Sequence, residues 1–153
     1  MFLGGKKMNE KNENKTKKTM NAKLKLTGFQ RMCVDHALGV DYDYEAYEDR
    51  GDLTADQCQD AHDWIWKKVN MHFPYGTEEK WKPTTITIPD DILEAVVYVL
   101  DNAVEASVLL SDAYLLWDDG WCYPLSLDYA QSVMDRTKDL IEEQIEALRA
   151  VIP

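Results

Sequence analysis

The chain has little with which to build a covalent or metal-held framework. Only three of its 153 residues are cysteine, Cys33, Cys58 and Cys122, an odd number at irregular spacing. No disulfide framework of the small secreted kind is therefore readable. Histidine is just as sparse, at positions 36, 62 and 72. Gly4 and Gly5 are adjacent but the other glycines stand singly, so there is no glycine-rich phosphate loop. No G-x-S-x-G occurs, and Cys122 in "GWCYP" has no recognisable base beside it; a buried thiol packed by Trp121 and Tyr123 is the expectation there. Long charge-free apolar runs are missing too. The most apolar stretch, 92–117, carries Glu94, Asp101, Glu105 and Asp112, which a lipid-exposed helix does not tolerate. "MFLGGKKM" lacks an apolar h-region after its charges, so no secretory signal is expected. These absences together point to a reduced, cytoplasmic protein.

Positive charge is what the body of the chain lacks most. Residues 1–25 hold eight lysines and two glutamates, whereas residues 26–153 hold nine Lys/Arg against 26 Asp/Glu. So acidic a body repels nucleic acid, anionic membranes and anionic substrates, and attracts basic protein surfaces. Apolar residues make up 45%, enough for the core of one domain but not of two. The expected organisation is a polar, Lys-rich, mobile tail over 1–25, with no role of its own, and a single acidic helical domain over 26–153. Met8 and Met20 offer further in-frame starts within the tail.

Hydrophobic spacing predicts an all-α fold, a compact bundle of about four helices. A first helix follows Thr27 as N-cap, with Phe29, Met32, Cys33, His36 and Ala37 on one face and Gly39 as its stop. The second opens on a Thr54-x-x-Gln57 capping box and turns Cys58, Ala61, His62, Ile65 and Val69 inward, with Lys67 and Lys68 near its end. "TTITI" (84–88) has strand character but no evident partner. A long central helix is expected from Pro89 to about Leu116, roughly 40 Å at 1.5 Å per residue. Glu94, Asp101, Glu105 and Asp112 fall on one narrow stripe of it. The last helix, about 126–150, repeats Met134, Ile141 and Leu148 at seven, with Ile145 and Ile152 beside them. That seam, with the widely covered central helix, also suits a homodimer.

Between the first two helices stands "DYDYEAYEDRGD" (41–52), with six carboxylates and three tyrosines against one arginine. Asp41, Asp43, Glu45, Glu48, Asp49 and Asp52, interleaved with Tyr42, Tyr44 and Tyr47, are the candidate partner-binding residues. Tyrosine anchors and carboxylates steer, so such a surface suits a basic, partly apolar protein. A row of carboxylates can also occupy a cleft built for phosphates. The favoured reading is thus a small acidic interaction module, a nucleic-acid-mimicking inhibitor or adaptor of a basic protein such as a defence nuclease, with no catalysis, cofactor or metal.

Metal-dependent alternatives of three kinds, the third a hydrolase in two forms, have some footing. Asp41, Asp43 and Glu45 occupy positions 1, 3 and 5 of a loop that resembles an EF-hand, which implies Ca²⁺. It departs from that pattern at Ala46, Glu48 and Asp52, and a solvated loop is preferred. Cys33-x-x-His36 and Cys58-x-x-x-His62 each point one way on a helix and together would supply a Cys₂His₂ zinc set; ordinary core packing is preferred. Asp35-His36 with His62-Asp63 resembles an HD-type phosphohydrolase. Glu45-x-x-Glu48 with Asp60-x-x-Asp63 resembles the Mg²⁺ site of the all-α nucleoside triphosphate pyrophosphatases, which implies phosphohydrolysis. Neither brings the further ligands or basic cluster such a site needs.

Overall fold

The computed structural model describes residues 22–41, 51–70, 82–112 and 126–153. The fold is mostly helical, with a small two-stranded antiparallel sheet. Strand β1 (Lys23–Leu26) begins inside the span expected to be tail, 1–25, and ends just beyond it. Its sequence, KLKL, alternates: Leu24 and Leu26 are buried and the lysines turn outward, the period-two signature of a half-buried strand. It pairs with β2 (Thr84–Thr87), setting Leu24 opposite Ile86. Two strands alone are marginal in water. Here Leu24, Leu26 and Ile86 join the common core, and the Lys25 amide donates to Gln144 of the last helix. The partner missing for "TTITI" is therefore a segment whose lysines disguised it.

Helix α1 (Gly28–His36) opens on a capping box: Thr27 Oγ1 accepts from the Gln30 amide, and Gln30 Oε1 from the Thr27 amide. It does not stop at Gly39. A π-helical turn, Ala37–Asp41, continues it. The only positive φ among the described residues is at Gly51, so Gly39 is not a left-handed helix stop. It is needed for another reason: a Cβ at Gly39 would lie 2.8 Å from Trp66 Cζ2. Trp66 in turn is held by its Nε1, which donates to Asp35 at 2.9 Å. Gly39→Ala is expected to cost about 1–3 kcal/mol by overpacking. Most of that cost should return in Gly39→Ala/Trp66→Leu, relative to Trp66→Leu alone. A chemical-denaturation cycle reads this directly; additive costs would mean the close approach is not the cause.

Helix α2 (Ala55–Val69) has the expected Thr54–Gln57 capping box and the expected inward face of Cys58, Ala61, His62, Ile65 and Val69. Its C-terminal end is held by α1, because Arg31 Nε donates to the Val69 carbonyl at 3.1 Å. A guanidinium at helix-terminal carbonyls satisfies groups that lack a partner within the helix.

Helix α3 (Asp90–Ala106) is shorter than the spacing predicts. Ser107 leaves the helical conformation, and its Oγ accepts from the Leu110 amide as N-cap of the short α4 (Val108–Ser111). Serine's local hydrogen bond competes with the helix ladder, and here the ladder loses. Asp112 thereby falls beyond α4, off the line of Glu94, Asp101 and Glu105. Helix α5 (Leu127–Arg149), capped by Ser126, buries Ala130, Met134, Thr137, Ile141, Ile145 and Leu148. The heptad seam is thus covered inside the chain, packed against α3, α4 and β1. Helix α3 is the hub: it touches α2, α5, α1 and the π-helical turn, and Leu93, Val96, Leu100 and Val104 are almost wholly buried. No helix among the described residues is long and apolar enough to cross a membrane.

Candidate acidic groove

Helices α2 and α3 pack along their buried faces, but their outer shoulders diverge and leave a cavity of about 350 Å³. Its floor is apolar, made by Leu53, Ala61, Trp64, Ile92 and Ala95. Its rim is acidic: Asp52 comes from the turn before α2, Asp60 from α2, and Asp91 and Glu94 from the first two turns of α3. A second hollow of about 260 Å³ shares Asp52, Leu53 and Glu94 and runs on past Tyr98 to Asp101 and Arg149. The two form one strip along α3.

Local sequence explains each placement. Gly51 adopts φ of +52°, a left-handed conformation that glycine takes without a Cβ penalty. It brings Asp52 and Leu53 into the capping turn of α2. Asp60 follows from the helical period, since Cys58 and Ala61 face inward and Asp60 emerges beside them, exposed. Asp91 and Glu94 stand three apart on α3, which puts both on the shoulder facing α2.

The rim charge is distributed unevenly. Asp101 is paired with Arg149 Nη2 at 3.1 Å, and Arg149 also bonds Glu146. Among the described residues no lysine or arginine pairs with Asp52, Asp60, Asp91 or Glu94. Four carboxylates around one low-dielectric hollow focus a negative potential. On the floor side, Lys68 Nζ lies 5.4 Å from the Trp64 ring centroid. Trp64 thus already accepts an ammonium over its face. Among the described residues no three His, Cys, Asp or Glu side chains are placed to hold one metal ion.

Of the residues singled out in 41–52, Asp52 lies on this rim and Asp41 closes the π-helical turn by its backbone. Tyr42, Asp43, Tyr44, Glu45, Tyr47, Glu48 and Asp49 lie outside the described residues, as do the first pyrophosphatase pair, Glu45 and Glu48, and His72. The two Cys/His pairs are described and do not converge. Cys33 and Cys58 are buried in the core. His62 Nε2 lies 2.8 Å from the Leu38 carbonyl; a carbonyl only accepts, so that nitrogen carries the proton and is not available as a ligand. His62 Nδ1 stands 3.6 Å from Asp63 Oδ1. Cys33, Cys58 and His62 are thus buried core residues, whereas His36 is only partly buried. Trp64 and Trp66, two apart, part as their spacing requires: Trp64 goes to the groove, and Trp66 to Gly39 and the His62 ring.

Sequence reasoning missed the pairing of Asp60 with Asp91 and Glu94. The signal was present in part, since Glu94 had marked the exposed line of α3. Which neighbour that line faces is not a property of α3 alone. Compared with known protein families, curated proteins and solved structures, the chain matches none.

Proposed function

We propose that this protein is a non-catalytic acidic binding module, a compact helical bundle whose groove between α2 and α3 accepts a basic segment of another protein. The observation that carries the reading is the combination of an apolar, tryptophan-bearing floor with four rim carboxylates that no described lysine or arginine neutralises. Apolar contact supplies affinity, and the charged rim supplies orientation and approach rate. A simple solvated acidic face would not be floored by Trp64, Ile92 and Leu53. The partner class that fits best is a nucleic-acid-binding protein such as a defence nuclease. Its cleft accepts a row of phosphates, about one charge per 1.7 Å of duplex axis. The acidic residues of 41–49 extend the same charge in sequence from Asp52.

The test is binding of a fluorescein-labelled Lys/Arg-rich peptide, followed by anisotropy at about 50 and about 500 mM salt. Affinity is expected to fall by at least about tenfold between the two, because opposed exposed charges are screened beyond a Debye length. A salt-independent affinity, or no binding at the lower salt, would overturn the proposal.

A further inference from the structure

We infer that the anchor of the bound segment is an arginine side chain, whose guanidinium bridges carboxylates of α2 and α3 over the Trp64 ring. The inference rests on the reading of the groove as a site for a basic protein segment. It deepens that reading by choosing the cation, which charge complementarity alone leaves open between arginine and lysine.

Three observations carry the choice. The first is a precedent in the same strip. At its far end Arg149 Nη2 bonds Asp101 of α3 at 3.1 Å, and Arg149 Nη1 bonds Glu146 of α5. One guanidinium there ties carboxylates of two packed helices. Glu94 lies about 10 Å back along α3, seven residues at 1.5 Å each. At that end the packed helices are α2 and α3, and both again bring carboxylates to the rim: Asp60 from one, Asp91 and Glu94 from the other. No described lysine or arginine ties them. The cation that the α3–α5 end has from the chain itself is the one that the α2–α3 end takes from a partner.

The second observation is the ring. Asp60, Trp64 and Lys68 stand four apart on α2, so they share one face of the helix. Lys68 Nζ lies 5.4 Å from the Trp64 ring centroid, so the indole is already placed to attract a cation. Lys68 itself is not among the residues that line the cavity. A flat guanidinium stacks on an indole while its in-plane donors still point at a neighbouring carboxylate.

The third is desolvation. The hollow is floored by Leu53, Ala61, Ile92 and Ala95 beside Trp64, and a cation entering it gives up water. Guanidinium is more weakly hydrated than ammonium and loses less on entry. Its five N–H donors form a rigid fork that addresses carboxylates on two walls at once. A lysine ammonium is a compact, strongly hydrated point charge, better served at the wet edge of the rim. Lysines of the segment therefore steer, and an arginine descends to the floor.

The test compares two fluorescein-labelled peptides of one length and one net charge, one carrying only arginine as its cation and the other only lysine. Both are titrated with the whole chain by anisotropy at about 50 mM salt. The arginine peptide is expected to bind at least about tenfold more tightly, as befits a buried anchor. Trp64→Leu should bring the ratio of the two affinities close to one. Asp60→Asn, at an exposed position that the fold does not depend on, should weaken the arginine peptide about threefold more than the lysine peptide. Melting curves of both variants identify any loss that comes from unfolding, and Asp60→Asn decides alone if Trp64→Leu does not fold. Equal affinity of the two peptides sinks the arginine anchor and leaves the groove as a general cation site. An arginine preference that Asp60→Asn leaves intact also sinks it, because the guanidinium then binds elsewhere. Binding of neither peptide removes the functional reading itself, and the anchor with it.

Discussion

The triple variant Asp60→Asn, Asp91→Asn, Glu94→Gln is expected to lose affinity for a Lys/Arg-rich peptide by about tenfold to a hundredfold while its melting temperature stays level or rises. Exposed ion pairs contribute about 1 kcal/mol or less each, and each 1.4 kcal/mol is a factor of ten in affinity. Most of the loss should appear in the association rate, since rim charges chiefly steer encounter. The sign of the stability effect follows from the same geometry. In the folded chain these carboxylates share one rim without a described basic partner, so neutralising them relieves repulsion that the unfolded chain feels less. A matched control is Asp139→Asn, Glu142→Gln, Glu143→Gln on exposed positions of α5. It removes the same charge from another face. Equal losses in the two variants, measured by stopped-flow fluorescence, would show that net charge and not the groove governs binding.

Leu100→Ala should be the most damaging single change of ordinary chemistry in the fold. Leu100 is 1% exposed, on the helix that touches α2, α5, α1 and the π-helical turn. Truncation there loses the transfer free energy of the removed carbons and leaves a cavity that several elements would have to move together to fill. The expected cost is about 2–5 kcal/mol, which for a domain of this size lowers the melting temperature by about 10 °C. Val108→Ala, at a side chain 50% exposed, should change stability by no more than about 0.5 kcal/mol. Urea unfolding checks both, with the slope against denaturant unchanged. A cost below about 1 kcal/mol for Leu100→Ala would mean that α3 is not the hub described above.

Legibility varied with the range of the interaction that decides each feature. The Thr54–Gln57 box and the inward face of α2 depend on residues three and four apart, and both were readable. The last helix was readable for the same reason, and its seam falls on the buried side. Helix α3 was overextended because apolar spacing continues through Ser107; the break depends on one hydroxyl choosing a local amide, which periodicity does not register. Strand β1 was hidden by composition. Six of the eight lysines of 1–25 precede it, and KLKL reads as more of the same until Thr84–Thr87 supplies a partner across some sixty residues of sequence. Gly39 carried the wrong message because helix stops and close approaches both favour glycine, and only the position of Trp66 separates them.

The order of charges along the chain determined that this protein's body is acidic and its first residues basic, and helical periodicity determined most of which side chains go inside. These are local or additive properties, so the sequence carries them whole. Tertiary packing alone decided which carboxylates stand together. Asp52, Asp60, Asp91 and Glu94 come from three separate stretches, and they share a rim over Trp64 only because α2 and α3 bury their apolar faces against each other and diverge above them. The same packing set the start of β1 beside the residue that leads into α3.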